Sequence, residues 1–280
     1  MKDLKVGIQL YSLRDEMKKD MDATLKKVSE MGFKYVEFAG FFDKKAEDVK
    51  ALLDKYGLTA ISVHQGIDPY LREEDGKALV EYLKVIGVKY SVIPWMNKDV
   101  FHNEEQYAKF VENVKKVGAM LKENGITQCY HNHDFEFDKV GDKYVLDRLY
   151  DDVSQDLLMT ELDLCWVKYG GEDPVKYVNK YAKRSGIIHF KDFFAKGNKA
   201  TVYALIDENG NEIKKAPSKE ENEFKFMPLG QGLQNWAPIV DAVKESDVEY
   251  VIYEKDQWYD GDALADAKAS RDYLKNTFGI

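Results

Sequence analysis

The sequence predicts an α/β fold in which eight parallel strands alternate with helices and close into a barrel. One recurring unit predicts it. An amphipathic helical run ends at a glycine and a short apolar run follows at once, as in SEMGFKYVEF, DKYGLTAISVH, KVIGVKYSVIP, KENGITQCYHN and KRSGIIHF. Glycine suits the left-handed residue that closes a helix, and a β-branched run suits a strand that is buried on both faces. An open doubly wound sheet is the alternative, but no early strand is followed by a Gly-rich phosphate turn.

Three further apolar runs complete the set of eight strands: LKVGIQLY at the start, LLMTELDL before CWVKYGG, and VEYVIYEKD near the end. The helical periodicity predicts a helix after each strand, near residues 21–31, 43–56, 74–86, 104–124, 145–155, 173–184, 234–245 and 262–277. Eight such units within 280 residues indicate one closed barrel domain over residues 1–280.

One segment interrupts this rhythm. After the seventh strand, residues 194–228 include YALIDENGNEIKK, in which two strand-like runs flank Asn209-Gly210. This pattern predicts a hairpin inserted into a loop at the active-site end of the barrel. A lid, an oligomer contact and a solvated excursion are all open readings of it, so a homo-oligomer is one expectation.

Composition limits the classes of function. With 44% apolar and 32% charged residues the chain can bury a large core, and no apolar run is long enough to cross a bilayer. The polar N-terminus lacks a cleavage signal, so we expect a cytoplasmic protein. Cys129 and Cys165, each inside a predicted strand, are expected to be buried thiols. A net charge of −9 gives no basis for nucleic-acid binding, and a small polar or neutral ligand is expected instead.

Residues able to bind metal or carry protons fall where the predicted strands end. Four of the five histidines lie there, together with three carboxylates: Glu37, His64, His131, His133, Asp163, His189 and Glu254. Loops after the strands of such a barrel converge, so these side chains are expected to meet at one end.

Side-chain alternation refines this expectation, because residues two apart share one face of a strand. The inward ends of strands five to eight should form one ring from His131, Asp163, His189 and Glu254. Mixed imidazole and carboxylate ligands suit a divalent ion such as Mn, Zn, Co or Fe.

Simpler roles remain open for each of these residues. A strand-end histidine is more often a hydrogen-bonded core or rim residue than a metal ligand. The carboxylates of Asp163 and Glu254 can form salt bridges with Lys191 or Lys255. The tryptophans Trp95, Trp166 and Trp258 can pack the core or the mouth, although aromatic rims also stack on sugar rings.

Five segments, in this order and spacing, give the chain a family resemblance: YHNHDFEF, ELDLCWVKYGGEDP, HFKDF, LGQG and YVIYEKD. They resemble the xylose-isomerase-like TIM barrel superfamily, in particular its sugar phosphate isomerase/epimerase branch. The resemblance implies a divalent metal and isomerase, epimerase or dehydratase chemistry on sugars and polyols. Apurinic-site endonucleases belong to the same superfamily, but Trp166 stands where they have a metal-binding histidine, which disfavours DNA repair.

By this resemblance, Asp163, His189 and Glu254 match metal ligands of strands six, seven and eight. The fifth strand departs from the pattern, since many epimerases of the superfamily have a glutamate where this chain has His131. Either His131 is a ligand and another group is the base, or Glu136 takes the place of that glutamate. We favour the first, with His133 and Glu136 as candidate acid and base.

The expected chemistry is a metal-assisted proton transfer through an enediolate, which Lys191 helps to stabilise and in which Glu254 also takes part. Glu37, His64, Trp95 and Trp166 are expected to bind the sugar. Isomerisation or epimerisation is the first expectation, β-elimination from a 3-keto-glycoside the alternative, and a sugar-binding barrel without catalysis a third hypothesis.

Overall fold

The computed structural model describes residues 2–195, 224–258 and 262–280. Its strands, in chain order, are β1 (Lys5–Gln9), β2 (Tyr35–Phe38), β3 (Thr59–His64), β4 (Tyr90–Ile93), β5 (Thr127–His131), β6 (Lys139–Val140), β7 (Lys143–Tyr144), β8 (Met159–Asp163), β9 (Ser185–Phe190), β10 (Asp192–Ala195), β11 (Phe224–Met227) and β12 (Tyr250–Tyr253). Its helices are α1 (Arg14–Lys19), α2 (Met21–Glu30), α3 (Ala46–Tyr56), α4 (Asp68–Leu71), α5 (Glu73–Ile86), α6 (Lys98–His102), α7 (Glu104–Glu123), α8 (Val145–Asp152), α9 (Leu164–Tyr169), α10 (Pro174–Lys180), α11 (Trp236–Glu245) and α12 (Ala263–Phe278).

Eight strands close into a parallel barrel in the order β1-β12-β9-β8-β5-β4-β3-β2. β1 closes the ring by pairing with β12 on one side and with β2 on the other. The predicted barrel is therefore confirmed, and a helix lies at each of the eight predicted places. Four short helices, α1, α4, α6 and α9, were not predicted; each follows a barrel strand and contributes to the loops at the carboxyl end.

The interior of the barrel changes from apolar to polar along the strands. Cys129, Ile187 and Ile252 belong to a buried apolar cluster inside the ring. Two residues further along the same strands, or just beyond them, lie His131, His189 and Glu254, which are also buried. Because residues two apart share a face, the apolar floor supports a polar layer at the carboxyl end of the barrel.

Both cysteines are buried thiols as predicted, but the prediction that Cys165 lies inside a strand is wrong. Cys129 lies in β5, but Cys165 lies in α9, because the Asp163 carboxylate accepts the backbone N–H groups of Cys165 and Trp166 and so begins a helix. Both thiols are free and buried, and burial raises the pKa of each.

The base of the predicted insertion is an antiparallel pair formed by β10 and β11, directly after the seventh barrel strand. Phe193, Phe224 and Phe226 of this pair pack with Trp166 and Tyr169 in a separate aromatic cluster. The predicted hairpin at Asn209-Gly210 lies outside the described residues, and the single domain over 1–280 stays a prediction.

Asp192, which opens β10, fixes the segment between β11 and α11. Its buried carboxylate accepts five hydrogen bonds, from the backbone N–H groups of Phe193, Gly230, Gly232 and Gln234 and from Trp236 Nε1. A Cβ on Gly232 would lie 2.1 Å from Asp192 Oδ1, so the second glycine of LGQG is required by this close approach. Asp192 thus has an architectural role next to the site.

Candidate active site

Four of the predicted residues converge at the carboxyl end of the barrel. His131, Asp163, His189 and Glu254 are all buried, and each offers a ligand atom within 4.8 Å of the others. His131 Nε2 lies 3.4 Å from Asp163 Oδ2 and 3.7 Å from Glu254 Oε2, and His189 Nδ1 lies 3.0 Å from Glu254 Oε2. We call these four residues the upper group.

Several donor atoms of the upper group lack a hydrogen bond. Among the described residues, neither ring nitrogen of His131 has a hydrogen-bond partner, and Asp163 Oδ2 has none. Buried polar atoms are normally paired, so these atoms have capacity for an additional ligand. Two imidazoles and two carboxylates are a donor set that divalent Mn, Zn, Co or Fe accepts.

Neighbouring backbone groups hold Asp163 in place. Its Oδ1 is used to begin α9, which directs Oδ2 toward His131. Asn132 Oδ1 also accepts the backbone N–H of Asp163 at 3.0 Å. The three consecutive residues His131, Asn132 and His133 therefore have different roles. His131 belongs to the upper group, Asn132 connects the end of β5 to β8, and His133 lies beyond the strand end.

Lys191 lies beside the upper group with only 1% of its side chain exposed. Its Nζ is 3.0 Å from Glu254 Oε2, 3.4 Å from Asp163 Oδ2 and 2.7 Å from Asp256 Oδ1. Burial lowers the pKa of Lys191, but Asp256, Glu254 and Asp163 outweigh it and raise that pKa well above its usual value. The site therefore contains a permanent buried cation.

A second set of polar residues lies against His189, and we call it the deep network: Gln9, Glu37, His64 and Glu161. His189 Nε2 is 2.7 Å from Glu37 Oε1, and His64 Nε2 is 2.8 Å from Glu161 Oε2. Burial lowers the pKa of His64, yet Glu37 and Glu161 raise it to about 10. The predicted sugar binders Glu37 and His64 are therefore bonded to other protein groups.

His133 and Glu136, the predicted acid and base, have different surroundings. The partly exposed His133 ring lies 5.0 Å from the His131 ring, and burial, His131 and Lys191 together lower the pKa of His133 well below its usual value. Glu136 is fully buried and accepts hydrogen bonds from Tyr130 Oη at 2.6 Å and from the His133 backbone at 2.8 Å. Burial raises the pKa of Glu136 to about 8. Glu136 is outside the upper group and supports the turn that carries His133.

The two tryptophans predicted to bind the sugar, Trp166 and Trp95, differ in burial. Trp166 is buried in the aromatic cluster, with Lys191 Nζ 5.2 Å from its ring centroid. Trp95 lies two residues after β4 and is partly exposed. Sequence reasoning missed Asp256 and Gln9 as site residues; Asp256 follows Glu254 by two residues, and that spacing is the signal that could have indicated it.

Comparisons with known proteins agree with this geometry. A family model described as xylose isomerase-like TIM barrel matches residues 25–277. An inosose dehydratase from Clostridium beijerinckii is 25% identical, over 90% of this chain and 89% of its own length. A sugar phosphate isomerase/epimerase structure from Parabacteroides distasonis superimposes with a TM-score of 0.72, 24% identity and 99% coverage of both chains. The structure of IOLI protein with a bound zinc atom has a TM-score of 0.67 and 15% identity, covering 99% of this chain and 100% of its own.

No helix in the described segments is long and apolar enough to cross a membrane. The family model covers most of the chain, and the relatives that the chain matches are enzymes. The hypothesis of a sugar-binding barrel without catalysis is therefore set aside. The protein is an enzyme, and the chain belongs to the xylose isomerase-like TIM barrel family.

Proposed function

We propose that this enzyme is a divalent-metal-dependent lyase that removes water from an uncharged keto-cyclitol or keto-sugar. One observation carries the proposal: the His133 ring lies 5.0 Å from the His131 ring, so an imidazole able to transfer a proton stands directly beside the upper group. Glu136 has both oxygens occupied, and Glu254 is bonded to Lys191 and His189. The inosose dehydratase relative, whose name describes loss of water from a keto-cyclitol, supports the same reaction type.

The upper group would hold the metal. His131, Asp163, His189 and Glu254 would supply the ligands, and the atoms of His131 and Asp163 that lack a hydrogen bond fit this role. The zinc atom bound by the IOLI protein, which has a similar fold, supports a metal in this enzyme. When bound, a divalent ion polarises a substrate carbonyl and acidifies the neighbouring C–H group.

The protein residues then carry out the proton transfers. The His133 imidazole removes the proton next to the carbonyl, and the buried Lys191 ammonium stabilises the negative charge on the substrate oxygen. The electron pair forms a C=C bond as the C–O bond to the β-hydroxyl breaks. His133 returns the proton to the departing hydroxide, so the products are a conjugated ketone and water.

Elimination fits this arrangement better than epimerisation. Epimerisation by proton transfer requires one carrier that removes the proton and another that returns it on the opposite face. With His131 in place of a fifth-strand glutamate and Glu136 bonded elsewhere, the second carrier is missing from the described site. Elimination requires only one carrier, because the leaving group accepts the proton.

The charges favour an uncharged substrate. Five buried carboxylates surround the site, Glu37, Glu161, Asp163, Glu254 and Asp256, and Lys191 is already paired with three of them. Nearby, Arg14 donates to the backbone oxygens of Tyr11 and Asp256. A phosphate group would meet strong repulsion here, so the proposed substrate is a neutral sugar or cyclitol. The proposed location of the enzyme is the cytoplasm.

The test combines metal content with turnover of a keto-cyclitol in deuterated water. With Mn²⁺ or Co²⁺, the parent should produce the ultraviolet absorbance of a conjugated ketone. His133→Gln should retain the metal and lose on the order of 10²–10⁴-fold in rate. Asp163→Asn and Glu254→Gln should lose the metal, and Glu249→Gln, at the opposite end of the barrel, should behave as the parent.

Other outcomes identify other reactions. Deuterium in a recovered isomer without loss of water would establish the isomerase or epimerase expected first from the sequence. Release of an alcohol from a 3-keto-glycoside would establish the same elimination with the alcohol, in place of water, as the leaving group. A metal-loaded protein that exchanges no proton with any of these ketones would refute the proposal.

A further inference from the structure

The upper group and the deep network share His189. Nδ1 of its ring faces Glu254, and Nε2 faces Glu37. His64, His131, Glu161 and His189 also offer ligand atoms within 4.8 Å of one another. His64 and Glu161 of the deep network can therefore belong to a second metal site or to a hydrogen-bonded support for the first. The inference below rests on the proposed metal at the upper group.

Interatomic distances separate these two roles. Two ligands of a tetrahedral ion with bonds of about 2.0–2.1 Å lie about 3.3 Å apart. In the upper group the separations are 3.0, 3.4 and 3.7 Å. In the deep network the shortest separations are 2.7 Å for His189–Glu37, 2.8 Å for His64–Glu161 and 2.7 Å for Gln9–Glu37, and the longer ones are 3.1 Å for His64–Glu37 and 3.4 Å for His189–Glu161. The three shortest are lengths of charge-assisted hydrogen bonds.

The direction of these hydrogen bonds follows from the backbone. The Tyr11 N–H donates to Gln9 Oε1 at 2.9 Å, which fixes the orientation of the Gln9 amide. Gln9 Nε2 must then donate to Glu37 Oε1, so that oxygen is an acceptor. The proton between Glu37 and His189 therefore belongs to His189 Nε2, and Nδ1 is the nitrogen directed at the upper group.

We propose that Glu37 is a positioning residue that holds the Nε2–H of His189 and presents Nδ1 as the ligand. Gln9 orients Glu37 from one side, and His64, bonded to Glu161, lies 3.1 Å from Glu37 Oε1 on the other. A carboxylate behind a ligating histidine fixes its tautomer and increases its basicity as a ligand. The predicted role of Glu37 in binding a sugar hydroxyl is replaced by this one.

The experiment measures Co²⁺ stoichiometry, Co²⁺ dissociation constant and the visible spectrum of the Co²⁺-loaded protein. We expect one ion per chain in the parent and in Glu37→Ala, with a dissociation constant about 10–100-fold higher in Glu37→Ala. Glu37→Gln retains an acceptor for His189 and should recover part of the affinity. Glu249→Ala, an exposed glutamate paired with Lys5, is the matched control and should leave the constant unchanged.

Three outcomes would overturn the inference. An unchanged dissociation constant and spectrum in folded Glu37→Ala would show that Glu37 does not position a ligand. Two ions in the parent and one in Glu37→Ala would make the deep network a second metal site. If Glu37→Ala does not fold, Gln9→Met is measured instead; it removes the donor to Glu37 together with the acceptor of the Tyr11 N–H, and unchanged Co²⁺ binding in this variant would overturn the inference. No ion in the parent would instead refute the proposed function.

Discussion

Replacing Asp192 with asparagine tests whether one buried carboxylate fixes the segment between β11 and α11. Its Oδ2 accepts three hydrogen bonds and its Oδ1 accepts two. An asparagine has only one acceptor oxygen. If that oxygen takes the position of Oδ2, its NH₂ group faces the two buried backbone N–H donors that had bonded to Oδ1.

The magnitude follows from those two donors. A buried donor left without an acceptor costs about 1–3 kcal/mol, so Asp192→Asn should lower the free energy of unfolding by about 2–6 kcal/mol. For a chain of this size about 4 kcal/mol corresponds to a fall of about 8–16 °C in Tm. The fall in Tm is measured by thermal unfolding, monitored by circular dichroism.

Asp173→Asn is the matched control. Asp173 accepts a single exposed hydrogen bond, from the Val175 N–H at the start of α10, and asparagine caps a helix as well as aspartate does. Its Tm should stay near that of the parent. If Asp192→Asn unfolds within about 2 °C of this control, the five hydrogen bonds do not stabilise the fold as argued.

Three further predictions concern the same end of the barrel. Gly232→Ala should lower the Tm strongly, since its Cβ would lie 2.1 Å from Asp192, whereas Gly66→Ala, with nothing within 4 Å, should change it little; a small effect at Gly232 would contradict the close packing. Removal of metal by a chelator should lower the Tm of the parent but not of Asp163→Asn, because bound metal stabilises only a fold that can hold it. Glu136→Gln should keep the parent's metal stoichiometry by elemental analysis, and loss of the ion would make Glu136 a ligand.

The barrel could be predicted because its signals are local and periodic. The glycine that closes each helix and the apolar run that follows it lie within about ten residues, and alternation along a strand placed His131 and Asp163 on inward faces without knowledge of the tertiary structure. The end of the sixth strand shows the limit of this reasoning. LDLCW is apolar enough to continue a strand, but the carboxylate of Asp163 begins a helix there instead.

The deep network and Asp192 could not be predicted for a different reason. Gln9 is 28 residues from Glu37 in the chain, and Glu37 is 152 residues from His189, so no spacing in the sequence connects them. Such a network becomes visible only once the strands are in register, because β1 places Gln9 beside Glu37 of β2. The sequence could indicate which residues end the strands, whereas the hydrogen-bond partner of each residue depends on closure of the barrel.

Closure also explains why a histidine can stand in the fifth strand. His131 is the last residue of β5, and Asn132 joins the next position to the backbone of Asp163, so the two strand ends are held together by an amide. The proposed ligand His131 and the proposed proton carrier His133 are then separated by one residue, whose side chain already makes a hydrogen bond. A shift of one residue would reverse which side chains at this strand end face inward. Asn132→Ala removes the hydrogen bond to the Asp163 backbone that opposes such a shift, so it should loosen Asp163 and His133 together. Weaker Co²⁺ binding accompanied by a lower turnover rate would support this coupling, and a change in only one of the two would refute it.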